Sequence, residues 1–101
     1  MIKHIVMWKI KGDTGHGSKE EVMEKMKIEL EGLKEKIEDI VEIEVGINFE
    51  PSEMAYDVVL YSVFKNQEGL ERYQKHPAHQ RVANELVRQV SGGRVVVDYL
   101  I

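Results

Sequence analysis

The sequence contains no cysteine, which excludes disulfides, zinc–thiolate centres, iron–sulfur clusters and cysteine nucleophiles. Basic residues are outnumbered, 14 against 18 acidic residues, and they form no cluster along the chain. Binding to nucleic acid through neutralisation of phosphates is therefore not expected. No apolar run approaches the length that spans a membrane, so a membrane partner is not expected either.

The residues that are present suit a single globular domain over residues 1–101. Apolar residues make up 43% of the chain, enough for a packed core. A domain this small buries a modest share of its surface, so pairing with a second chain is an expected source of stability. The opening segment MIKHIVMWKI alternates polar and apolar residues as a strand does, unlike a signal peptide, and we expect a cytoplasmic location.

Four segments show the two-residue alternation of strands. They are predicted over residues 2–10, 40–49, 55–65 and 94–100. Helical spacing of apolar residues fills the intervals between the first and second strands and between the third and fourth. The resulting order, β-α-β-β-α-β, predicts a ferredoxin-like α+β fold with a four-stranded antiparallel sheet and helices on one face.

The helix boundaries follow from capping signals. Ser18 and Glu21 form a capping-box pattern, which predicts a first helix over about 18–38. Asn66 is a suitable cap for a short helix that reaches about 73–75. A further helical stretch is predicted to start near Pro77 and to end before the segment Ser91-Gly92-Gly93.

The third and fourth predicted strands are apolar on both faces. Val59, Tyr61 and Val63, together with Val96 and Leu100, are assigned to the face that the helices do not cover. An exposed apolar patch of this size usually marks an interface. The pattern therefore predicts a symmetric homodimer that packs the open face of one sheet against that of its partner.

The sequence resembles a known family, the stress-responsive A/B barrel domain proteins, over nearly its whole length. The resemblance is carried by MIKHIVMWKIK, YDVVLYSVFKNQEGLERYQKHPAHQRV and RVVVDYL. Its most specific piece is the tetrapeptide HPAH at residues 76–79. The resemblance implies a ferredoxin-like protomer whose sheet packs on that of its partner to form a dimeric α/β barrel.

Most members of this family have no assigned activity, and some plant members are polyketide cyclases that close a ring by intramolecular aldol condensation. Resemblance to those enzymes implies His79 as the base and Tyr73 as the group that assists it. It also matches His4 and His76 to further histidines of the family.

The sequence departs from the cyclases at two positions. Val58 occupies the place of a histidine in the third strand, and Met26 that of a tyrosine in the first helix. These departures weigh against a pocket shaped for a polyketide.

The chemistry of the HPAH segment allows a catalytic and a structural interpretation. Pro77 suits the first turn of a helix, so His79 is expected near the positive end of the helix dipole, which keeps its imidazole neutral near pH 7. A neutral imidazole can act as a general base, and Tyr73 can donate a hydrogen bond to an oxyanion. In the structural interpretation, His76 caps the helix and His79 hydrogen-bonds a carboxylate or a backbone group.

His4 shares an apolar strand face with Val6 and Trp8, and such a histidine is most simply a buried core residue. If it converges with His79, it adds a polar spot to an apolar pocket, as in many small-molecule sites. A metal site from His4, His76 and His79 is disfavoured, because a three-residue step across a proline does not reliably bring two rings together. We therefore predict no metal and no cofactor. Asp98 is expected to pair with Arg94 or across the dimer.

Two functional hypotheses result. In the first, the protein is a homodimeric domain of unassigned activity with a small-molecule pocket near Tyr73 and His79, its ligand-binding residues including His4 and His76. The expected ligand is small and apolar or aromatic. In the second, the protein is a lyase or aldol-type enzyme that uses His79 as general base and Tyr73 as oxyanion donor.

Overall fold

Four antiparallel strands form one sheet in the order β2-β3-β1-β4 in the computed structural model, which describes residues 1–101. The strands are β1 (Ile2–Ile10), β2 (Ile40–Ile47), β3 (Val58–Phe64) and β4 (Ser91–Leu100). Helix α1 (Lys19–Glu31) continues as a 3₁₀ turn (Gly32–Glu35). Helix α2 (Gln67–Lys75) is followed by α3, which consists of Pro77–Val82, a π-helical turn (Ala83–Val87) and Arg88–Val90. This arrangement is the predicted ferredoxin-like fold.

Helix α1 begins with the predicted capping box. The Ser18 hydroxyl accepts a hydrogen bond from Glu21 N at 3.1 Å, and the Glu21 carboxylate accepts one from Ser18 N at 2.9 Å. The predicted extent of 18–38 is wrong at the far end, because the α-helix ends at Glu31. Gly32, a weak helix former, starts the tighter 3₁₀ turn.

One apolar core lies between the sheet and the helices. It includes strand residues such as Val6, Leu60 and Phe64 and helix residues such as Met26 and Val90. No helix of the chain is long and apolar enough to cross a membrane.

Strands β2 and β3 are shorter than predicted. Strand β2 ends at Ile47 and β3 begins only at Val58, so Phe49 lies in the connecting loop with 90% of its surface exposed. A bulge between Ile40 and Glu42 also shifts the register of β2 against β3, and Val41 is its extra residue. The extra residue of a bulge has no direct partner, and the two-residue alternation changes phase there.

Strand β4 begins three residues earlier than predicted, at Ser91. Ser91 pairs with Ile10 and Gly93 with Lys9, and the register shifts between Lys9 and Ile10. Gly92 is the additional residue of this irregularity. Glycine often marks such bulges, because the missing side chain allows the local bend.

The assignment of Val96 and Leu100 to the open face of the sheet is wrong. Residues directly opposite in an antiparallel pair share a face, and these two are opposite Val6 and Ile2 of the helix-covered face. The sequence RVVVDYL has three consecutive valines, so its pattern does not show which of its residues face the helices. We define the open face by its apolar members: Ile5, Met7, Val59, Tyr61, Val63, Val95, Val97 and Tyr99.

Candidate functional site

A cavity of about 340 Å³ lies between the helices and the part of the sheet formed by β3, β1 and β4. Trp8, Leu30, Leu60 and Val87 contribute much of its apolar wall. Six lining residues with polar side chains come from four different elements: His4, Tyr73, His79, Arg88, Ser91 and Arg94. The site is therefore assembled only by the tertiary fold.

Three of the four predicted site residues come together in this cavity. The ring centroids of Tyr73 and His79 are 4.5 Å apart, and those of His4 and Tyr73 are 6.2 Å apart. His76 does not join them. Its Nδ1 accepts a hydrogen bond from Ala78 N at 3.0 Å, so it caps α3, and it lies beside charged side chains on the outside of the protein.

The four histidines and the acidic residues form no cluster suited to a metal ion. No group of three or more His, Asp or Glu side chains is close enough to hold one. The separation of His76 from His4 and His79 is consistent with this result.

His79 is held by the backbone at the break between α2 and α3. Its Nδ1 lies 3.1 Å from the carbonyl oxygen of Gln74. Because a carbonyl oxygen only accepts, Nδ1 carries the proton, and the neutral ring keeps its lone pair on Nε2. Burial lowers the pKa of His79, and the charges of Arg88 and Arg94 lower it further, against the opposing effect of the Gln74 carbonyl. His79 is thus neutral at pH 7 and can accept a proton.

Tyr73 forms the inner end of the cavity. The residue is completely buried, and its ring packs against Phe64 with centroids 4.8 Å apart. Its hydroxyl has no hydrogen-bond partner, and the same is true of Trp8 Nε1. Burial raises the pKa of the Tyr73 phenol far above its ordinary value, so the group stays protonated and is available as a donor.

His4 is buried, as expected for a core residue, and its Nδ1 pairs with the carboxylate of Asp98. The expected pairing of Asp98 with Arg94 is therefore wrong, because no ion pair joins the two side chains. Residues four apart on one strand are about 13 Å apart, whereas directly opposite residues on neighbouring strands are about 5 Å apart. His4 and Asp98 are opposite each other in the β1–β4 register.

The Asp98 carboxylate fixes the tautomer of His4. An acceptor at Nδ1 requires the proton there, and this leaves Nε2 as an acceptor on a ring that lines the cavity. Asp98, Arg88 and Arg94 are the functional candidates that the sequence did not single out. Only the strand register could have identified Asp98, because 94 positions separate it from His4.

The family model of the stress responsive A/B barrel domain, Dabb, matches residues 2–101. The chain belongs to this family. Among the solved structures similar to this chain is a dimeric protein of unknown function with a ferredoxin-like fold from Bacteroides fragilis. It is 36% identical, with a TM-score of 0.84, and the match covers 99% of this chain and 95% of that chain.

Two more distant solved structures share the fold. A Dabb family protein from Mesorhizobium loti is 19% identical, with a TM-score of 0.80 and coverage of 99% of this chain and 95% of that chain. A hydroxynitrile lyase from Passiflora edulis is 17% identical, with a TM-score of 0.81 and coverage of 99% and 92%. No curated protein sequence matches the chain.

The electrostatics of this Dabb cavity can be tested at His79. We expect Arg94→Gln to raise the pKa of His79, because it removes a positive charge that disfavours the imidazolium. Combining it with Arg88→Gln is expected to raise the pKa further. The measurement is a pH titration of the histidine ring signals by NMR.

The matched control is Arg81→Gln, which removes an exposed arginine that does not line the cavity. This variant should leave the pKa of His79 unchanged. An equal effect of all three substitutions would show that net charge, and not the cavity arginines, sets the His79 titration.

Proposed function

We propose that this Dabb domain binds a small, largely apolar molecule in the cavity at Tyr73 and His79. The observation that carries the proposal is that two residues lining the cavity, Trp8 of β1 and Tyr73 of α2, each have a buried donor, Nε1 and Oη, without a hydrogen-bond partner. A buried donor without a partner costs roughly 1–3 kcal/mol. A ligand that brings acceptor groups into the cavity would offset this cost.

The composition of the cavity supports the same class of ligand. Apolar walls with a few converging polar groups are typical of sites for small organic molecules. A volume of about 340 Å³ is near the lower end of such sites, whose range is about 300–1,000 Å³. It would suit a molecule with a single aromatic ring or a short aliphatic chain.

We further propose that the protein is a homodimer through the open face of the sheet. That face carries eight apolar side chains, and four of them, Met7, Val95, Val97 and Tyr99, are exposed in one protomer, Val97 to 60%. Packing against a second copy would bury this surface, and apolar burial is the main driving force of such association. The dimeric Bacteroides fragilis protein supports the assembly.

Acid–base catalysis at the cavity is the second candidate function, and the free Nε2 of the neutral His79 favours it. In an aldol-type reaction, Nε2 would take a proton from the carbon next to a carbonyl group. The electron pair would move onto the carbonyl oxygen, and Tyr73 would stabilise the resulting enolate by hydrogen bonding.

The same groups could serve either of two reactions, a condensation or a cleavage. In condensation, the enolate carbon attacks a second carbonyl carbon, a C–C bond forms, and the new alkoxide takes the proton back from the His79 imidazolium. In cleavage, His79 takes the proton of a hydroxyl group, the alkoxide oxygen forms a new carbonyl group as the C–C bond breaks, and the resulting carbanion takes the proton back from the His79 imidazolium. The hydroxynitrile lyase named above supports only the compatibility of the fold with a lyase.

The open-face dimer can be tested with Val97→Asp. The substitution places a charge in the proposed interface, and the side chain is mostly exposed in one protomer, so the fold should survive. Light scattering should give twice the mass of one chain for the unmodified protein and a single-chain mass for the variant. Ile28→Asp, at a 65% exposed position on α1 away from the open face, should remain a dimer. A monomeric unmodified protein at micromolar concentration would contradict the proposal.

The unpaired Tyr73 hydroxyl gives a test of the binding function. We expect Tyr73→Phe to raise the free energy of unfolding by about 1 kcal/mol, because it removes a buried donor that lacks a partner. It should also weaken binding of the probe phenylacetone, followed through the Trp8 indole signal by NMR. Urea denaturation at one fixed protein concentration measures the stability. The control Tyr99→Phe changes an exposed tyrosine outside the cavity and should leave the binding of phenylacetone unchanged. A less stable Tyr73→Phe variant would contradict the argument.

Catalysis can be tested by hydrogen–deuterium exchange at the benzylic carbon of phenylacetone in D₂O. We expect the protein to accelerate the exchange and His79→Gln to remove an acceleration of about 10²–10⁴-fold, the usual contribution of a general base. His76→Asn is the matched control, because asparagine preserves the cap of α3 and the residue lies outside the cavity. Equal loss in both variants, or no acceleration by the protein, would exclude His79 as the base.

A further inference from the structure

Two arginines at the outer part of the cavity have no acidic partner. Arg88 of α3 and Arg94 of β4 line the cavity and are exposed. Neither arginine takes part in an ion pair. The only side-chain hydrogen bond that either of them makes runs from Arg88 to the neutral amide of Asn84. No acidic residue lines the cavity, and the nearby Asp98 is already paired with His4. Neither guanidinium group at this opening is therefore neutralised by a direct contact with a carboxylate.

Two local irregularities place these arginines. The Arg88 N–H bonds to the carbonyl oxygen of Ala83, five residues earlier, and this wide turn brings Ala83, Val87 and Arg88 to the same wall. On the opposite side, the bulge at Gly92 comes just before Arg94. A π-helical turn and a strand bulge are costly departures from regular structure and are common beside functional sites.

The charges of both arginines extend into the cavity. Each of them disfavours the protonated form of His79, which shows that the two guanidinium groups influence the same interior space. The Asp98 carboxylate, on the same side of the sheet, contacts the His4 ring and forms an ion pair with neither arginine. An anionic ligand group would gain from this field, whereas a cationic one would be repelled.

We propose that the ligand of this cavity is an organic carboxylate, with its carboxylate group held by Arg88 and Arg94 and its apolar body against Trp8 and Leu60. The planar guanidinium matches a carboxylate through two parallel hydrogen bonds. The carboxylate at the opening would orient the molecule so that its other end reaches Tyr73 and His79. This inference rests on the proposed binding function and adds the charge and orientation of the ligand.

The experiment compares phenylacetate with phenylacetamide, which have nearly the same shape and differ in charge. Both are titrated into the full-length protein at one ionic strength, and binding is followed by NMR at the Trp8 indole and at His79. We expect phenylacetate to bind about tenfold more tightly, and Arg88→Gln or Arg94→Gln each to remove about tenfold of that affinity. Neither variant should change the affinity for phenylacetamide, and Arg81→Gln should change neither affinity.

The outcomes separate this inference from the proposed function. Equal affinities for the two probes, or an equal loss in the Arg81→Gln control, would overturn the carboxylate assignment and leave the binding cavity intact. Binding of neither probe at millimolar concentration would overturn the cavity function as well. Inorganic phosphate that binds as tightly as phenylacetate would show an anion site without a role for the apolar walls, and would also overturn the assignment.

Discussion

The antiparallel register of β4 against β1 is the constraint on which both the cavity and the open face depend. It places Asp98 opposite His4 and Arg94 opposite Trp8, all on the side of the helices. The intervening residues Val95 and Val97 then necessarily lie on the open face. A slip of one residue would move the polar groups out of the cavity and put Asp98 into the apolar surface. One set of strand hydrogen bonds therefore fixes the candidate site and the proposed interface together.

Burial shifts the pKa values of Tyr73 and His79 in opposite directions, and this gives the two side chains different roles. Loss of water disfavours the charged form of each group, so the pKa of the phenol rises and the pKa of the imidazole falls. At neutral pH one group is a donor that keeps its proton and the other is an acceptor with a free lone pair. Neighbouring groups whose pKa values diverge in this way are suited to act as the donor and the acceptor of one reaction or one binding event.

The order of elements could be predicted because periodicity and capping are local properties. The Ser18–Glu21 capping box and the cap of α2 at Asn66 follow from a few adjacent residues, and both are present. The phase of RVVVDYL could not be predicted, because consecutive valines are compatible with either face. The bulge in β2 was missed for a related reason, since it depends on pairing with β3 and leaves the apolar composition unchanged.

Only those residues of the candidate site that lie close together in the sequence, or that stand out within one strand, could be predicted. The HPAH segment and Tyr73 are close in sequence, and His4 was recognised as a buried polar residue on an apolar strand. Asp98, Arg88 and Arg94 gain their significance from residues far along the chain, which no local pattern records. The same limit explains His76. Its spacing to His79 suggests a shared site, but its ring caps the start of α3 and lies outside the cavity.

The unpaired buried donors and the arginines without a carboxylate partner indicate the same physical situation. A fold selected for stability alone would pair Tyr73 Oη or replace it by a phenylalanine, and would neutralise positive charge beside a dry cavity. Instead the polar groups remain unsatisfied at both ends of one apolar space, an acceptor needed at the inner end and an anion at the outer end. A single molecule with a carboxylate at one end and a carbonyl oxygen at the other would satisfy both requirements. The unpaired polar groups lower the stability of the free protein, and they favour a ligand that can pair with them over one that cannot.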